Sequence, residues 1–105
     1  MLRTYHEAYK VQQLQGENLS AFEGLYLATL AGARALDLEG VIGQLEVGCE
    51  ADFTVLDSNA TDFLKFRMRS TRSLHDELFT LMMLGDDRSI AATYSAGECV
   101  HHRTV

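Results

Sequence analysis

Residues 21–36 carry Phe22, Leu25, Leu27, Leu30, Ala31, Ala33 and Leu36, which point in nearly every direction around a 3.6-residue helix. A helix that is apolar on one stripe can lie on a surface; one that is apolar all round asks for burial on several sides. Ser20 and Glu23 mark its start, an S-x-x-E pair that can satisfy two free backbone N–H groups reciprocally. The chain has 105 residues, one domain at most, and a chain of that size buries roughly 60–70% of its unfolded surface. One more helix and a few strands cannot surround such a rod. The surplus apolar surface is therefore expected to meet another chain or a further part of a larger body. The alternative is that Ala28, Ala31, Ala33 and Ala35 form a lightly apolar outer face that solvent tolerates.

The remaining elements follow from periodicity and turn chemistry. Residues 1–15 place Leu2, Tyr5 and Tyr9 on one helical stripe, with Gly16 as a stop. Gly40, Gly43 and Gly48 then punctuate the chain before a β-rich run that predicts a strand over 53–57. Residues 58–72 fit either a short helix or irregular chain. Ser73, with Asp76 three positions on, caps a helix over 74–84 that Gly85 closes. Strands over 90–95 and 98–102 flank Ala96-Gly97, a two-residue hairpin connection. The expected class is α/β.

Composition excludes several function classes. No apolar run approaches the about 18 residues needed to span a bilayer, and the N-terminus lacks a secretory pattern. A soluble, cytoplasmic protein with no membrane partner is expected, and its two cysteines, Cys49 and Cys99, are expected to be reduced thiols. Residues 1–57 hold three basic and nine acidic side chains, residues 58–105 six of each, for a net charge of −6. Lys65, Arg67, Arg69 and Arg72 are the one basic cluster, read here as a solvated loop. Four cations in an acidic chain do not make the wide cationic face that nucleic acid requires.

Each candidate for chemistry has a structural counter-reading. His6-Glu7 begins like a zinc-binding helix, but the second histidine one turn later is Lys10. His101 and His102 are adjacent in a strand, so their side chains face opposite ways. His75-Asp76-Glu77-Leu78 spells a retention signal that is read only at a C-terminus, and here it lies inside a helix. Asn18 and Asn59 fit a glycosylation pattern without a secretion signal beside it. Asp86-Asp87 reads as a turn, with Arg88 placed to neutralise one carboxylate. No residue is therefore assigned a catalytic, cofactor-binding or metal-binding role.

Three stretches together carry a resemblance: residues 28–36 (ATLAGARAL), residues 42–57 (IGQLEVGCEADFTVLD) and residues 84–88 (LGDDR), along with the opening MLRT and EAYKV. They resemble the C-terminal part of guanine deaminases, within the metal-dependent amidohydrolase superfamily. The likeness covers nearly the whole chain. The pattern of Ile42-Gly43, Gly48 and Ala51-Asp52 is shared across the superfamily, whereas the Leu-Gly-Asp-Asp-Arg corner is narrower. Ala31 and Asp37 stand where glycine is usual, and Cys49 where lysine is common.

The resemblance implies a whole enzyme several times longer. It would have a TIM-type barrel holding zinc through histidines and an aspartate, and a small β-sandwich domain, and it would convert guanine to xanthine and ammonia. All ligands would lie upstream of the matched part, so this chain alone is expected to be inactive. Residues 1–40 would be terminal helices of the barrel (1–15 and 20–36). Residues 41–105 would be part of the sandwich, with strands 53–57, 90–95 and 98–102 and the helix 74–84 packed beside them. The expected partners are the missing barrel and, through exposed strand edges, a second copy. The alternative is a stand-alone interaction module descended from such a tail.

Overall fold

The computed structural model describes residues 1–104. Five α-helices occur, α1 (Leu2–Leu14), α2 (Ala21–Ala28), α3 (Leu30–Ala35), α4 (Asp62–Met68) and α5 (Leu74–Leu84). Three strands join them, β1 (Phe53–Leu56), β2 (Ile90–Ser95) and β3 (Glu98–His102), with a 3-10 turn over Asp87–Ser89. The chain divides into two compact units, one of Met1–Leu25 with Ser58–Ser89, the other of Tyr26–Asp57 with Ile90–Val105.

The first unit is organised around Tyr5. The edge of its ring abuts Gly24, where a Cβ would stand 2.0 Å from Tyr5 Cε2, and its hydroxyl donates to the Ala21 carbonyl. Burial pushes the Tyr5 hydroxyl above the ordinary tyrosine range. Ser20 and Glu23 cap α2 reciprocally: the Glu23 N–H donates to Ser20 Oγ at 3.1 Å and the Ser20 N–H to Glu23 Oε2 at 3.2 Å. Helix α5 packs on α1, with Tyr9 and Phe79 edge to face at 5.4 Å, and on α4, which contributes the fully buried Leu64. Met82 and Leu81 of α5 and Leu19 complete this core.

Residues 58–72 resolve into α4, capped by Thr61, whose Oγ1 accepts from the Leu64 N–H at 3.1 Å. Ser73 caps α5 by accepting the Asp76 N–H at 3.1 Å. Gly85 ends α5 at negative φ. Its role there is space, since a Cβ would lie 2.4 Å from the Leu81 carbonyl oxygen.

The second unit holds an antiparallel sheet in the order β1-β2-β3. The hairpin turns at Ala96 and Gly97, both with positive φ (50° and 83°), as a type I′ turn requires. The chain before β1 ties that turn down, the Ala96 N–H donating to Asp52 Oδ1 at 2.7 Å and the Gly97 N–H to the Ala51 carbonyl at 3.0 Å. Phe53 and Tyr94 stack across β1 and β2 at 4.6 Å. Arg103 closes the far end on Asp57 with an ion pair at 2.6 Å.

The single helix expected over 20–36 is two helices. Thr29 leaves the helical basin (φ −125°, ψ −93°), and α3 restarts at Leu30. The cause lies in a distant segment. Gly43, at φ +96°, approaches so closely that a Cβ would stand 2.7 Å from Ala33 Cβ and 3.3 Å from the Thr29 carbonyl oxygen. A β-branched residue is a weak point in a helix, and here the break makes room for that approach. Helix α3 ends in a Schellman motif, with Asp37 left-handed (φ 58°), its N–H on the Arg34 carbonyl and the Leu38 N–H on the Ala33 carbonyl.

Two outcomes follow for stability. Gly24→Ala would gain helix propensity on an open surface, but here it drives a methyl into the Tyr5 ring, so a loss of about 1–3 kcal/mol is expected in urea unfolding. Ala96→Asn relieves a left-handed alanine and creates the favoured Asn-Gly turn. It should raise stability by about 1 kcal/mol, read as a higher urea midpoint at unchanged slope.

Candidate functional site

The four histidines sit on three elements. His6 is on α1, its neighbour Glu7 makes an exposed contact with Lys10 at 3.7 Å, and His101 and His102 are both exposed on β3. His75 lies inside α5, where its Nε2 accepts the Ala21 N–H at 3.3 Å and its ring meets Phe22 edge-on at 5.1 Å. It joins the start of α2 to α5, a role with no sequence signal, because its partners lie 53 and 54 positions away.

Cys49 and Cys99 are free thiols. Among the described residues, no three His, Cys, Asp or Glu side chains converge where a metal ion could be held. The described residues therefore offer no set of donors that fits a zinc ion.

Asp86 and Arg88 form a closed corner. The Asp86 Oδ1 accepts the Arg88 N–H at 2.9 Å, and the Arg88 guanidinium reaches Asp86 Oδ2 at 2.6 Å. The side-chain bond to Arg88 holds the Asp86 carboxyl below the usual carboxylate range. This is a turn built by a carboxylate, with Asp87 opening the 3-10 turn beside it.

Surfaces distinguish the chain more than any cluster of reactive groups. Along α2, Phe22, Leu25, Tyr26 and Leu27 are exposed, as is Leu36 after α3, while Ala33 is buried at 3% exposure. Of the four alanines read as an outer face, Ala33 is buried, Ala28 and Ala31 are half-buried and Ala35 is exposed, so the exposed face carries large side chains as well as alanine. In the second unit the buried apolar residues are Ala33 and Ala92, and β3 is exposed along its whole length. Both β1 and β3 are edges of the sheet.

A second kind of surface lies on α4. Lys65 and Arg67 are on this helix, with Arg69 at its C-cap and Arg72 just before α5, so half of the basic cluster read as a loop is helical. Phe63 and Phe66 stand exposed between these cations. A shallow cleft of about 310 Å³ opens beside them, lined by Arg67, Ser70, Thr71, His75, Asp76, Phe79 and Thr80.

Among the described residues no helix is long and apolar enough to cross a membrane. Residues 1–101 match the amidohydrolase family. The chain is 52% identical to the guanine deaminase of Escherichia coli K12 over 103 residues, covering 98% of this chain and 24% of that enzyme. It is 35% identical to a probable guanine deaminase of Deinococcus radiodurans over 106 residues, again 98% of this chain and 24% of the relative. The solved structure of E. coli guanine deaminase superposes with a TM-score of 0.94 over 97% of this chain. That of guanine deaminase from Bradyrhizobium japonicum superposes with 0.70 over 83%, at 32% identity. The chain thus spans about a quarter of the length of these relatives, matching the C-terminal part.

The Asp86 corner gives a pH outcome. A depressed folded-state value means that any stability from this pair is present above the unfolded carboxylate value and is lost as pH falls through the folded one. Carboxyl-carbon NMR should show Asp86 titrating below the ordinary value of about 3.9, and Arg88→Ala should return it there. The pair is exposed, so the unfolding midpoint should shift little in that variant.

Proposed function

Because the chain belongs to the amidohydrolase family, we propose that it works as the C-terminal portion of a guanine-deaminase-like hydrolase. The whole enzyme would convert guanine to xanthine and ammonia. The observation that carries this reading is the joint match of sequence and backbone, 52% identity and a TM-score of 0.94, over almost all of this chain.

In the proposed assembly, residues 1–40 are terminal helices of a TIM-type barrel and residues 41–105 are part of a small β-sandwich domain. The exposed large side chains of α2 support a barrel neighbour, since a soluble helix does not keep so many of them in water without a cover. The upstream barrel would hold zinc, which when bound lowers the pKa of a coordinated water toward about 7. This chain's residues take no part in that step. They close the barrel's outer face and carry three strands of the sandwich. A second copy is a further expected partner, and the setting is cytoplasmic.

A chimera tests this reading directly. The matched C-terminal quarter of E. coli guanine deaminase is replaced by residues 1–105 of this chain, and xanthine formation is followed by absorbance. Turnover within about tenfold of the parent is expected, and none from the isolated chain with added zinc. An insoluble or inactive chimera alongside an active parent would overturn the reading, as would guanine turnover by the isolated chain.

A further inference from the structure

Ala21, the first residue of α2, is gripped on both sides through its backbone. Its carbonyl accepts from the Tyr5 hydroxyl of α1, and its N–H donates to His75 Nε2 of α5 at 3.3 Å. The residue is 0% exposed, so neither group has water as an alternative partner. The Ser20–Glu23 box satisfies other N–H groups of this turn and leaves the Ala21 N–H to the imidazole. His75 itself is half-buried and lines the cleft beside α4, which gives solvent a path to its ring.

A ring nitrogen accepts a hydrogen bond only while its lone pair is free. With Nε2 accepting, the neutral imidazole carries its proton on Nδ1. A proton added from water at Nε2 turns the acceptor into a donor, sets N–H against N–H and strands a buried amide. The resulting cation would also stand in the first turn of α5 and against the first turn of α2, the positive ends of two helices. The charged groups around it are Glu23 on α2, Arg67 on α4, Arg72 between α4 and α5, and Asp76 and Glu77 on α5. From α1 the titratable group at this point is Tyr5. The five charges are exposed, so water and salt screen them, whereas the contact at Ala21 is short-ranged and dry.

We propose that His75 is an acid-sensitive latch on α2: as a neutral imidazole it fastens the first turn of α2 to α5, and on protonation it lets that turn go. Histidine is the side chain that changes charge between about pH 5 and 8, so mild acidification opens the latch. The bond is present above the pH at which His75 titrates and is lost below it. Phe22, half exposed and meeting the His75 ring edge-on at 5.1 Å, moves with the turn, so the apolar face of α2 changes with the latch. This inference goes beyond the deaminase reading and needs none of it, since no readout involves guanine.

The test follows the full chain by NMR from about pH 8 to about pH 5. Imidazole nitrogen shifts should show the neutral His75 ring protonated at Nδ1 at the alkaline end. Amide exchange, corrected for its intrinsic pH dependence, should show Ala21 losing protection about fivefold to tenfold as His75 titrates. The Leu64 amide, held by Thr61 Oγ1, should not change with it. His75→Gln offers an uncharged acceptor near the position of Nε2, so Ala21 protection should no longer step with pH. If that variant does not fold, wild type decides alone, through the match between the Ala21 and His75 midpoints. An Ala21 amide that is unprotected at the alkaline end, or indifferent to His75 titration, would overturn the latch. So would a midpoint different from that of His75, a neutral ring protonated at Nε2, or a pH step that survives in His75→Gln.

Discussion

Apolar side chains that face water on α2 constrain everything else about this chain. Phe22, Leu25, Tyr26 and Leu27 are exposed there, and Leu36 follows α3 in the same state. Fully burying one such side chain from water is worth roughly 1.5–3 kcal/mol, and these five are about half exposed, so covering them is on the order of 5 kcal/mol. That is comparable to the whole stability of a typical domain, about 5–15 kcal/mol. What covers these residues therefore matters as much to the folded state as any contact the chain makes within itself. The likeness to about a quarter of much longer amidohydrolases has the same implication.

The two units differ in how far they can stabilise themselves. The first has a packed centre: Tyr5 on Gly24, then Leu64, Leu81 and Met82, with each of α2, α4 and α5 capped by a hydroxyl. Among the described residues the second buries only two alanines fully, and it relies on the Phe53–Tyr94 stack and on hydrogen bonds and ion pairs such as Ala96 to Asp52 and Arg103 to Asp57. Hydrogen bonds that replace water contribute only about 1 kcal/mol each, and exposed ion pairs less. A sheet held that way is stable mainly when its faces meet other structure.

Local chemistry was legible in the sequence where the determinants are neighbours. Helix α5 and the hairpin β2-β3 have the bounds that Ser73, Gly85 and Ala96-Gly97 indicate, and the Ser20–Glu23 box forms as its spacing requires. The break at Thr29 was not legible because Gly43, which crowds it, lies outside any local window. Helix α4 was ambiguous for another reason. Only Leu64 of its apolar residues is buried, so no stripe appears, and the Thr61 cap was the available signal. The choice between alanines and large residues as the outer face was open for the same cause: a helix apolar all round does not say which side the rest of the chain occupies. As for the candidate site, the sequence separates the Asp86 turn from reactive chemistry. It gives no hint of the His75 tie, which depends on residues brought together only by folding.

The exposed surfaces are physically of two kinds, and they imply different partnerships. The α2 surface is mainly apolar, with two aromatic and two aliphatic side chains and Glu23 its one charge, closer to the core of an obligate interface, where salt has less influence. The α4 surface mixes two phenylalanines with four cations, a composition in which charge sets encounter rate and partner choice while the rings supply contact area. A single cover is a poor solution for both. A body that buries the α2 side chains without opposing charge would leave Lys65, Arg67, Arg69 and Arg72 desolvated and unpaired if it also extended over α4, at a cost of several kcal/mol per ion. The charge pattern thus requires any body that covers α4 to bring acidic groups of its own, which an apolar cover of α2 need not do.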